Sequence, residues 1–188
     1  MTTRHLKKIS SEVIHQNPRW SYKHDVCSLP TGAPTEYYYG EKLGAVITVP
    51  VTAEGKLVLV VQYRYLADKL SIEFPAGAME TGESSLFAGQ RELLEETGYQ
   101  ADDFVSVASF EPLPAYFMNP VHIFVAYEAV ASGRQRLDVD ESVEVIERRV
   151  DEFEDMIRQG QIWAGPTLAA WALAREQVLK IQAGSEGQ

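Results

Sequence analysis

Residues 77–99, GAMETGESSLFAGQRELLEETGY, constrain the fold of this chain more than any other segment. Gly77 and Gly82 are expected to bracket a loop, because glycine reaches backbone conformations that are closed to other residues. Ser84 or Ser85 can cap a helix that follows this loop, and Gly98 is a typical residue just beyond a helix C-terminus. The segment therefore predicts a loop followed by one helix that ends shortly before Gly98.

The predicted helix carries three glutamates on one side. At about 100° per residue, Glu92, Glu95 and Glu96 fall within roughly 100° of arc. Like charges at these spacings repel, and Arg91 is the nearest basic residue in the sequence. Carboxylate oxygens are the ligands that Mg²⁺ and Mn²⁺ prefer, so the cluster indicates a divalent metal site. The alternative, a solvated acidic helix face, accounts for the glutamates but not for the complete pattern of the segment.

The helix also carries apolar and small side chains. We expect four apolar side chains on the side away from the glutamates to be buried: Leu86, Phe87, Leu93 and Leu94. Ala88 and Gly89 lie one turn before the glutamates on the glutamate side. Their small size leaves room either for a ligand or for the close approach of another backbone segment.

The segment resembles the signature of the Nudix hydrolases, which cleave nucleoside diphosphates linked to another group, with Tyr99 in its last, bulky apolar position. Residues 62–64, QYR, and residues 73–77, EFPAG, resemble the branch of ADP-ribose and nucleoside-diphosphate-sugar pyrophosphatases. The resemblance implies an α/β protein with a Nudix-type α/β/α sandwich and a mixed sheet. It also implies an enzyme that uses Mg²⁺, for which Mn²⁺ can substitute, to split a pyrophosphate bond with water.

The resemblance also implies roles for individual residues. It implies four metal ligands, namely the backbone carbonyl of Ala76 and the carboxylates of Glu92, Glu95 and Glu96. Glu83 is a weaker candidate ligand. Arg91 is expected to orient the glutamates by charged hydrogen bonds rather than to touch the substrate, and we count Arg91 and Glu95 among the catalytic residues.

A general base is needed beside the attacking water. In the pyrophosphatase branch this base is often a glutamate on a loop after the signature, and residues 137–144, LDVDESVE, occupy the corresponding place. Glu141 is the first candidate and Glu144 is the second. The alternative is that this acidic loop is simply solvated, as polar loops usually are.

Substrate contacts are predicted outside the signature. By the resemblance, Arg64 lies near the substrate, where an arginine suits bidentate phosphate contacts. An ion pair between Arg64 and Glu73 is the alternative, and we count both residues as candidates for the substrate site. Trp20 and Tyr22 are candidates for stacking on the base, whereas Tyr116 either packs or lines the sugar pocket.

Alternation and breaker residues predict an α/β chain around the signature helix. The predicted strands cover residues 21–29, 35–40, 45–51, 56–63, 104–110, 121–130 and 143–149, and two further helices cover residues 152–158 and 167–182. We expect an N-terminal β extension in residues 1–43, the Nudix domain in residues 44–183 and a frayed tail in residues 184–188. By the resemblance, the extension forms a homodimer in which Trp20 or Tyr22 reaches the partner's site.

The net charge of −10 and the lack of a basic stripe in the sequence argue against a nucleic acid or an anionic membrane as partner. Cys27 is the only cysteine in the sequence, so no internal disulfide can form. The first residues, MTTRHLKKIS, contain no apolar targeting segment. We therefore expect a soluble cytoplasmic protein that binds a nucleotide sugar as its small-molecule substrate.

Several functions fit the sequence, and the leading one is hydrolysis of ADP-ribose to AMP and ribose 5-phosphate. Residues 112–120 lack the Ser-Pro-Gly element and the following glutamate of many ADP-ribose enzymes. Sugars of the GDP-mannose type are therefore an alternative, as are nucleoside triphosphates and dinucleoside polyphosphates. A function of another class is a non-catalytic nucleotide-binding regulator, although such proteins usually lose signature glutamates that this chain retains.

Overall fold

The computed structural model of the chain describes residues 5–133, 135–137 and 142–185. These residues form strands β1 Lys7–Gln16, β2 Ser21–Ser28, β3 Pro34–Glu41, β4 Ala45–Pro50, β5 Leu57–Arg64, β6 Lys69–Glu73, β7 Ala76–Ala78, β8 Tyr99–Gln100, β9 Asp103–Phe110, β10 Phe117–Met118, β11 Val121–Tyr127, β12 Val130–Ala131 and β13 Val143–Arg148. The α-helices are α1 Ser85–Thr97, α2 Val150–Arg158 and α3 Gly165–Ser185, and Tyr65–Ala67 forms a 3₁₀ turn.

The chain divides into two compact units. The first unit contains the described residues up to Gly44 together with Glu111–Pro120. The second unit contains Ala45–Phe110 and the described residues from Val121 onwards. Among the described residues, all three α-helices belong to the second unit, and the regular elements of the first unit are β-strands.

The first unit is built on a four-stranded sheet in the order β1-β2-β3-β10. β1, β2 and β3 pair antiparallel, and β10 runs parallel to β3. In the turn between β2 and β3, Gly32 has a φ of 87°, a conformation that favours glycine. The sequence patterns do not predict β1, because its residues, KKISSEVIHQ, are mostly polar and do not alternate regularly. β1 forms at the edge of the sheet by pairing with β2.

The second unit contains a mixed sheet in the order β7-β4-β11-β9. β4 and β11 are parallel, whereas β7 runs antiparallel to β4 and β9 runs antiparallel to β11. An antiparallel sheet has the order β13-β5-β6, and β12 pairs with β8. The predicted α/β class with a mixed sheet is therefore confirmed.

The side chains of β4 and β11 alternate between two apolar clusters. Ile47 and Ile123 belong to the larger cluster, which also contains residues of α2 and α3. Val46 and Phe124 belong to the smaller cluster, together with Ala88 of α1. Because successive residues of a strand point to opposite faces, α1 covers one face of the sheet and α2 and α3 cover the other. This is the layered arrangement that the sequence predicts.

Some boundaries differ from the predicted ones for local reasons. β11 ends at Tyr127, since Glu128 has a φ of 50°, and the chain forms a separate short strand, β12. The short strands β6 and β7 lie on either side of Pro75 and have too few residues to show a period. α3 continues to Ser185, and residues 186–188 of the expected tail lie outside the described residues. Within the described residues, no helix combines the length and apolarity needed to cross a membrane.

The expected burial of α1 is wrong at two positions. Leu86 and Phe87 are 42% and 61% exposed, whereas Leu93 is fully buried. The buried residues of α1 are Ala88, Gly89, Leu93, Glu96 and Thr97. The buried side of the helix thus begins with two small residues, Ala88 and Gly89, and the apolar side chains of its first turn face solvent.

Candidate active site

Both ends of α1 are set by local interactions, as the sequence predicts. The Ser84 hydroxyl accepts a hydrogen bond from the Phe87 amide at 3.2 Å and caps the N-terminus. Gly98 has a φ of 71°, and its amide donates to the Leu94 carbonyl at 2.8 Å. The predicted helix and its caps are thus confirmed.

Small residues allow α1 to lie directly against the mixed sheet. A β-carbon at Gly89 would lie 3.2 Å from the Thr48 hydroxyl, which itself donates to the Gly89 carbonyl at 3.2 Å. Ala88 is fully buried and packs in the cluster with Val46 and Phe124. Of the two explanations for the small residues, close approach of a neighbouring segment is the one that the structure shows.

Glu83, Glu92, Glu95 and Glu96 are here called the acidic cluster. Arg91 contacts three of these four carboxylates. Its guanidinium donates to both carboxylate oxygens of Glu83, at 2.8 and 3.1 Å. It also donates to Glu92 at 2.7 Å, to Glu95 at 3.0 Å and to the Ala78 carbonyl at 3.0 Å. One cation therefore orients three carboxylates and ties α1 to the loop before it.

Hydrogen bonds from Arg91 lower the pKa of the Glu83 carboxyl, and a further bond from the Glu80 amide, at 2.9 Å, acts in the same direction. In turn, the hydrogen bond to Glu83 contributes most to raising the pKa of Arg91, with contributions from Glu92 and Glu95. Three carboxylates therefore share this single guanidinium.

Glu92 lies directly against the backbone at Gly77. A β-carbon at Gly77 would lie 1.9 Å from the carboxyl carbon of Glu92, a distance that real contacts do not allow. The glycine therefore leaves the space that the carboxylate fills. This close approach gives a physical reason for the EFPAG segment to end in glycine.

Glu96 is buried, with 4% of its surface exposed. Its carboxylate accepts a hydrogen bond from the Ala76 amide at 2.8 Å. The preceding carbonyl, that of Pro75, accepts from the Thr48 amide at 3.0 Å, which fixes the segment to β4. The backbone at Ala76 and the carboxylate of Glu96 are thus held side by side.

The donor set fits the divalent metal predicted from the sequence. Glu92, Glu95 and Glu96 supply hard carboxylate oxygens from adjacent turns of α1, next to the backbone of Ala76. Among the residues that the structure describes, no three His, Cys, Asp or Glu side chains are already gathered in a metal-holding arrangement. Instead, Arg91 and the Ala76 amide orient these carboxylates.

The candidates for the general base lie beyond α1. Glu141 lies outside the described residues, and Glu144 is an exposed residue of β13. Glu144 lines a cavity of about 780 Å³ at the C-terminal end of α1, together with Thr97 and Gln135.

The C-terminal end of α1 accepts hydrogen bonds from Ser132, Gln135 and Arg136, which the residue pattern does not predict. The Arg136 amide donates to the Glu95 carbonyl at 2.8 Å, and the Ser132 amide donates to the Gly98 carbonyl at 2.9 Å. The Gln135 side chain donates to the Glu96 carbonyl at 2.6 Å. The sequence contains no local signal for these bonds, because they join positions far apart in the chain.

Tyr99 connects the end of the signature to the antiparallel sheet. Its hydroxyl donates to Glu147 of β13 at 2.7 Å, and Lys56 donates to the other oxygen of Glu147 at 2.9 Å. Burial, followed by the bond to Glu147, raises the pKa of Tyr99 to about 12. The hydrogen bonds from Lys56 and Tyr99 lower the pKa of Glu147. The hydroxyl explains why a tyrosine suits this apolar position.

Arg64 and Glu73 form an ion pair, which is the alternative to a direct contact between Arg64 and substrate. The Arg64 guanidinium donates to Glu73 through two nitrogens, at 2.7 and 2.5 Å. Glu73 is buried and Arg64 is partly exposed. A substrate contact by either residue stays a prediction.

The aromatic candidates lie in the first unit. The Trp20 ring centre lies 6.1 Å from that of Phe117. The Tyr22 and Tyr38 rings stack with their centres 6.3 Å apart. Tyr116 is exposed. Their proposed contacts with a base or sugar stay predictions.

Comparison with known proteins identifies the family. A family model described as NUDIX domain matches residues 42–171. An ADP-ribose pyrophosphatase of Bacillus subtilis (strain 168) is 34% identical over 150 residues, which are 79% of this chain and 80% of that protein. A methanol dehydrogenase activator of Bacillus methanolicus is 33% identical over 165 residues, 87% and 89% of the two chains.

A solved structure shows the same fold. The crystal structure of an ADP compounds hydrolase matches with a TM-score of 0.83 and 22% identity, and the match covers 97% of this chain and 98% of that chain. Together, the matches confirm the predicted fold, the resemblance to the ADP-ribose pyrophosphatase branch and the enzyme class, a Nudix hydrolase. The chain belongs to the Nudix family.

Proposed function

We propose that this protein hydrolyses the pyrophosphate bond of ADP-ribose-type nucleotide sugars, with ADP-ribose as its first substrate and AMP and ribose 5-phosphate as products. The observation that carries the proposal is the set of carboxylates around Arg91 on α1. The similarity to an ADP-ribose pyrophosphatase supports the choice of substrate.

Nudix hydrolases generally need a divalent metal, and we propose Mg²⁺, with Mn²⁺ as a substitute. The Ala76 carbonyl and the carboxylates of Glu92, Glu95 and Glu96 would hold it. When bound, the metal neutralises phosphate charge and lowers the pKa of a coordinated water. The excess of carboxylates over cations in the cluster supports this assignment.

The residues of the chain then act by orientation and proton transfer. Arg91 keeps Glu92 and Glu95 in fixed positions through charged hydrogen bonds. A water attacks one phosphorus of the diphosphate and gives its proton to Glu141 or Glu144. The bond from that phosphorus to the bridging oxygen breaks, and the second phosphate leaves with this oxygen.

We propose that the substrate-binding residues come from several parts of the chain. Arg64, oriented by its ion pair with Glu73, contacts a phosphate. Trp20 or Tyr22 stacks on the base, and Tyr116 lines the sugar pocket.

We further propose a homodimer formed through the N-terminal strands, in which Trp20 or Tyr22 serves the partner's site. Every residue of β1 is exposed, including Ile9 and Val13. A second copy of the chain would cover these apolar side chains. The compartment we propose is the cytoplasm, in keeping with a single cysteine, Cys27, that is buried and free.

A second candidate function is regulation without turnover. The similarity to a methanol dehydrogenase activator favours this possibility, since an activator acts on another protein. The retained glutamates of α1 and their orientation by Arg91 favour hydrolysis instead.

The decisive experiment assays ADP-ribose, GDP-mannose, other nucleotide sugars, nucleoside triphosphates and dinucleoside polyphosphates with Mg²⁺, and measures kcat/KM and products for each. We expect the highest kcat/KM for ADP-ribose, with AMP released. Highest activity on a triphosphate with pyrophosphate release would favour a different Nudix activity. Binding of ADP-ribose in the presence of Mg²⁺ without any hydrolysis would favour the regulator.

A further inference from the structure

The C-terminal end of α1, the helix with the metal-ligand candidates, is connected to the first residue of β13. The last carbonyls of an α-helix have no partner within the helix. In α1, the Glu95 carbonyl accepts from the Arg136 amide, and the Glu96 carbonyl accepts from the Gln135 side chain. Two metal-ligand candidates therefore have their main-chain carbonyls bonded to the segment that leads towards Glu144.

The Gln135 side chain makes two hydrogen bonds, one to α1 and one to β13. Its Nε2 donates to the Glu96 carbonyl at 2.6 Å and to the Val143 carbonyl at 3.2 Å. A side-chain amide nitrogen carries two hydrogens, so it can serve both carbonyls at once. The opposite orientation of the amide would place its oxygen against two acceptors, so these partners determine which way the amide points.

These two bonds join α1 to the first residue of β13. Val143 directly precedes Glu144, and Glu141 stands two positions before Val143 in the sequence. Gln135 and Glu144 also line the same cavity at the end of α1. The side chain therefore links the backbone of Glu96 to the backbone of Val143, directly before Glu144.

Close backbone packing keeps this link short. A β-carbon at Gly98 would lie 2.6 Å from the Gly133 carbonyl oxygen, so the glycine lets the segment lie directly on the helix end. The bonds from the Ser132 and Arg136 amides to α1 use only main-chain atoms. A substitution at Gln135 therefore removes the connection to Val143 and leaves the main-chain docking in place.

We propose that Gln135 is a positioning residue that sets the distance between the metal-ligand candidates of α1 and Glu144 of β13 as the general base. The proposal rests on the proposed function, because it needs Glu144 to take the proton from water. Misplacement of a catalytic group by about 1 Å can cost on the order of a hundredfold in rate. Gln135 itself does not touch the reacting atoms.

The test compares Gln135→Ala and Gln135→Glu with the wild type and with Gln90→Ala. Gln135→Glu keeps the shape of the side chain but replaces the donor with an acceptor. Gln90 is an exposed residue of α1 and serves as the control. For each protein, kcat and KM for ADP-ribose, Mn²⁺ affinity by electron paramagnetic resonance, thermal unfolding and amide hydrogen exchange of residues 142–148 are measured.

We expect both Gln135 variants to lower kcat by about tenfold or more, with KM and Mn²⁺ affinity changed less than about threefold. We also expect faster amide exchange in residues 142–148 and no such change in Gln90→Ala. The conservative variant Gln135→Lys, which restores a donor of similar reach, should recover part of kcat.

Several outcomes would overturn the proposal. Unchanged amide exchange would show that Gln135 does not hold β13, and an unchanged kcat with faster exchange would show that the link has no role in turnover. Equal losses of kcat and Mn²⁺ affinity would show that Gln135 acts through the metal ligands instead. If the wild type does not hydrolyse any nucleotide sugar, the proposed function fails, and the exchange measurement still decides whether the link exists.

Discussion

The sheet of the first unit and the mixed sheet of the second unit differ in what covers their side chains. In the second unit, Val49 and Ile123 are fully buried within a cluster that α2 and α3 complete. In the first unit, all ten residues of the edge strand β1 are exposed, and Ile9 and Val13 are 63% and 53% exposed. The second unit thus builds a core from its own elements, whereas the first presents apolar side chains to the outside.

Charges are also arranged differently in the two units. In the first unit, carboxylates pair with single lysines: Asp25 with Lys8 at 2.8 Å and Glu41 with Lys23 at 2.9 Å. In the second unit, three carboxylates share the guanidinium of Arg91. The first arrangement is balanced and suits stability, whereas the second leaves negative charge that suits a metal ion.

Neutralising the glutamates tests this difference most strongly. The double variant Glu95→Gln, Glu96→Gln should lower kcat for ADP-ribose on the order of a thousandfold, because several kcal/mol of charge stabilisation would be lost. Isothermal calorimetry should show no Mg²⁺ binding by this variant. Glu176→Gln, at an exposed position of α3, is the control and should leave both quantities unchanged. Intact turnover in the double variant would remove the acidic cluster from the mechanism.

Truncating a core aromatic tests the claim that the second unit is held by its own core. Phe74 is 1% exposed, and its ring centre lies 5.1 Å from that of Phe153 and 6.4 Å from that of Trp171. Phe74→Ala should lower the free energy of unfolding by about 3–5 kcal/mol in urea titrations, because a cavity replaces a buried ring.

The matched control is Phe87→Ala on α1. Phe87 is largely exposed, so this variant should change the free energy of unfolding by less than about 0.5 kcal/mol. Similar losses for the two phenylalanines would contradict the division between a covered and an exposed surface.

Single variants of the two base candidates test which glutamate accepts the proton from water. Glu141→Gln and Glu144→Gln are compared by kcat at saturating ADP-ribose and Mg²⁺. The variant that removes the base should lower kcat at least about a hundredfold. A loss below about threefold excludes the residue concerned from proton transfer, and two small losses would place the base elsewhere.

The parts of the site that the sequence predicts are those set by neighbours along the chain. Ser84 and Gly98 cap α1 through bonds within one turn, and Arg91 reaches Glu92 and Glu95 on its own helix. Helix period and capping preference encode these interactions directly. They explain why the boundaries of α1 and the side that carries the glutamates follow from residues 77–99 alone.

The parts that the sequence does not predict depend on distant partners. Gln135 meets Glu96 across 39 positions, and Tyr99 meets Glu147 across 48. β1 forms by pairing with β2, although its own residues show no strand period. The burial of α1 follows from the sheet beneath it, which is why Leu86 and Phe87 are exposed. Residue spacing in the sequence carries no record of such contacts.

Charge on β1 tests the proposal that the first unit meets a second copy of the chain. Ile9→Lys and Val13→Lys should each weaken self-association at least about tenfold in sedimentation velocity at micromolar concentration, because a lysine loses hydration on burial. Leu173→Lys, on an exposed position of α3, is the matched control and should leave association unchanged. A monomeric wild type would contradict the proposed dimer.

Removing a charge from an ion pair of the first unit should have the smallest effect of these changes, a pH-dependent loss in the free energy of unfolding. Burial alone would raise the pKa of Asp25, but hydrogen bonds from Lys8, Ser11 and Tyr39 outweigh burial and lower this pKa. A carboxyl with a lowered pKa stabilises the folded state above its unfolded value, about 3.9, and loses this contribution as the pH falls through its folded value.

Asp25→Asn should therefore reduce the free energy of unfolding by about 1 kcal/mol at pH 7, and the difference from the wild type should shrink towards pH 3. Urea titrations at pH 7, 5 and 3 measure it, with Asp102→Asn, at an exposed position, as the control. A difference that stays constant over this range would show that Asp25 contributes through packing, and the contrast between a charge-balanced first unit and a charge-rich second unit would then rest on the second unit alone.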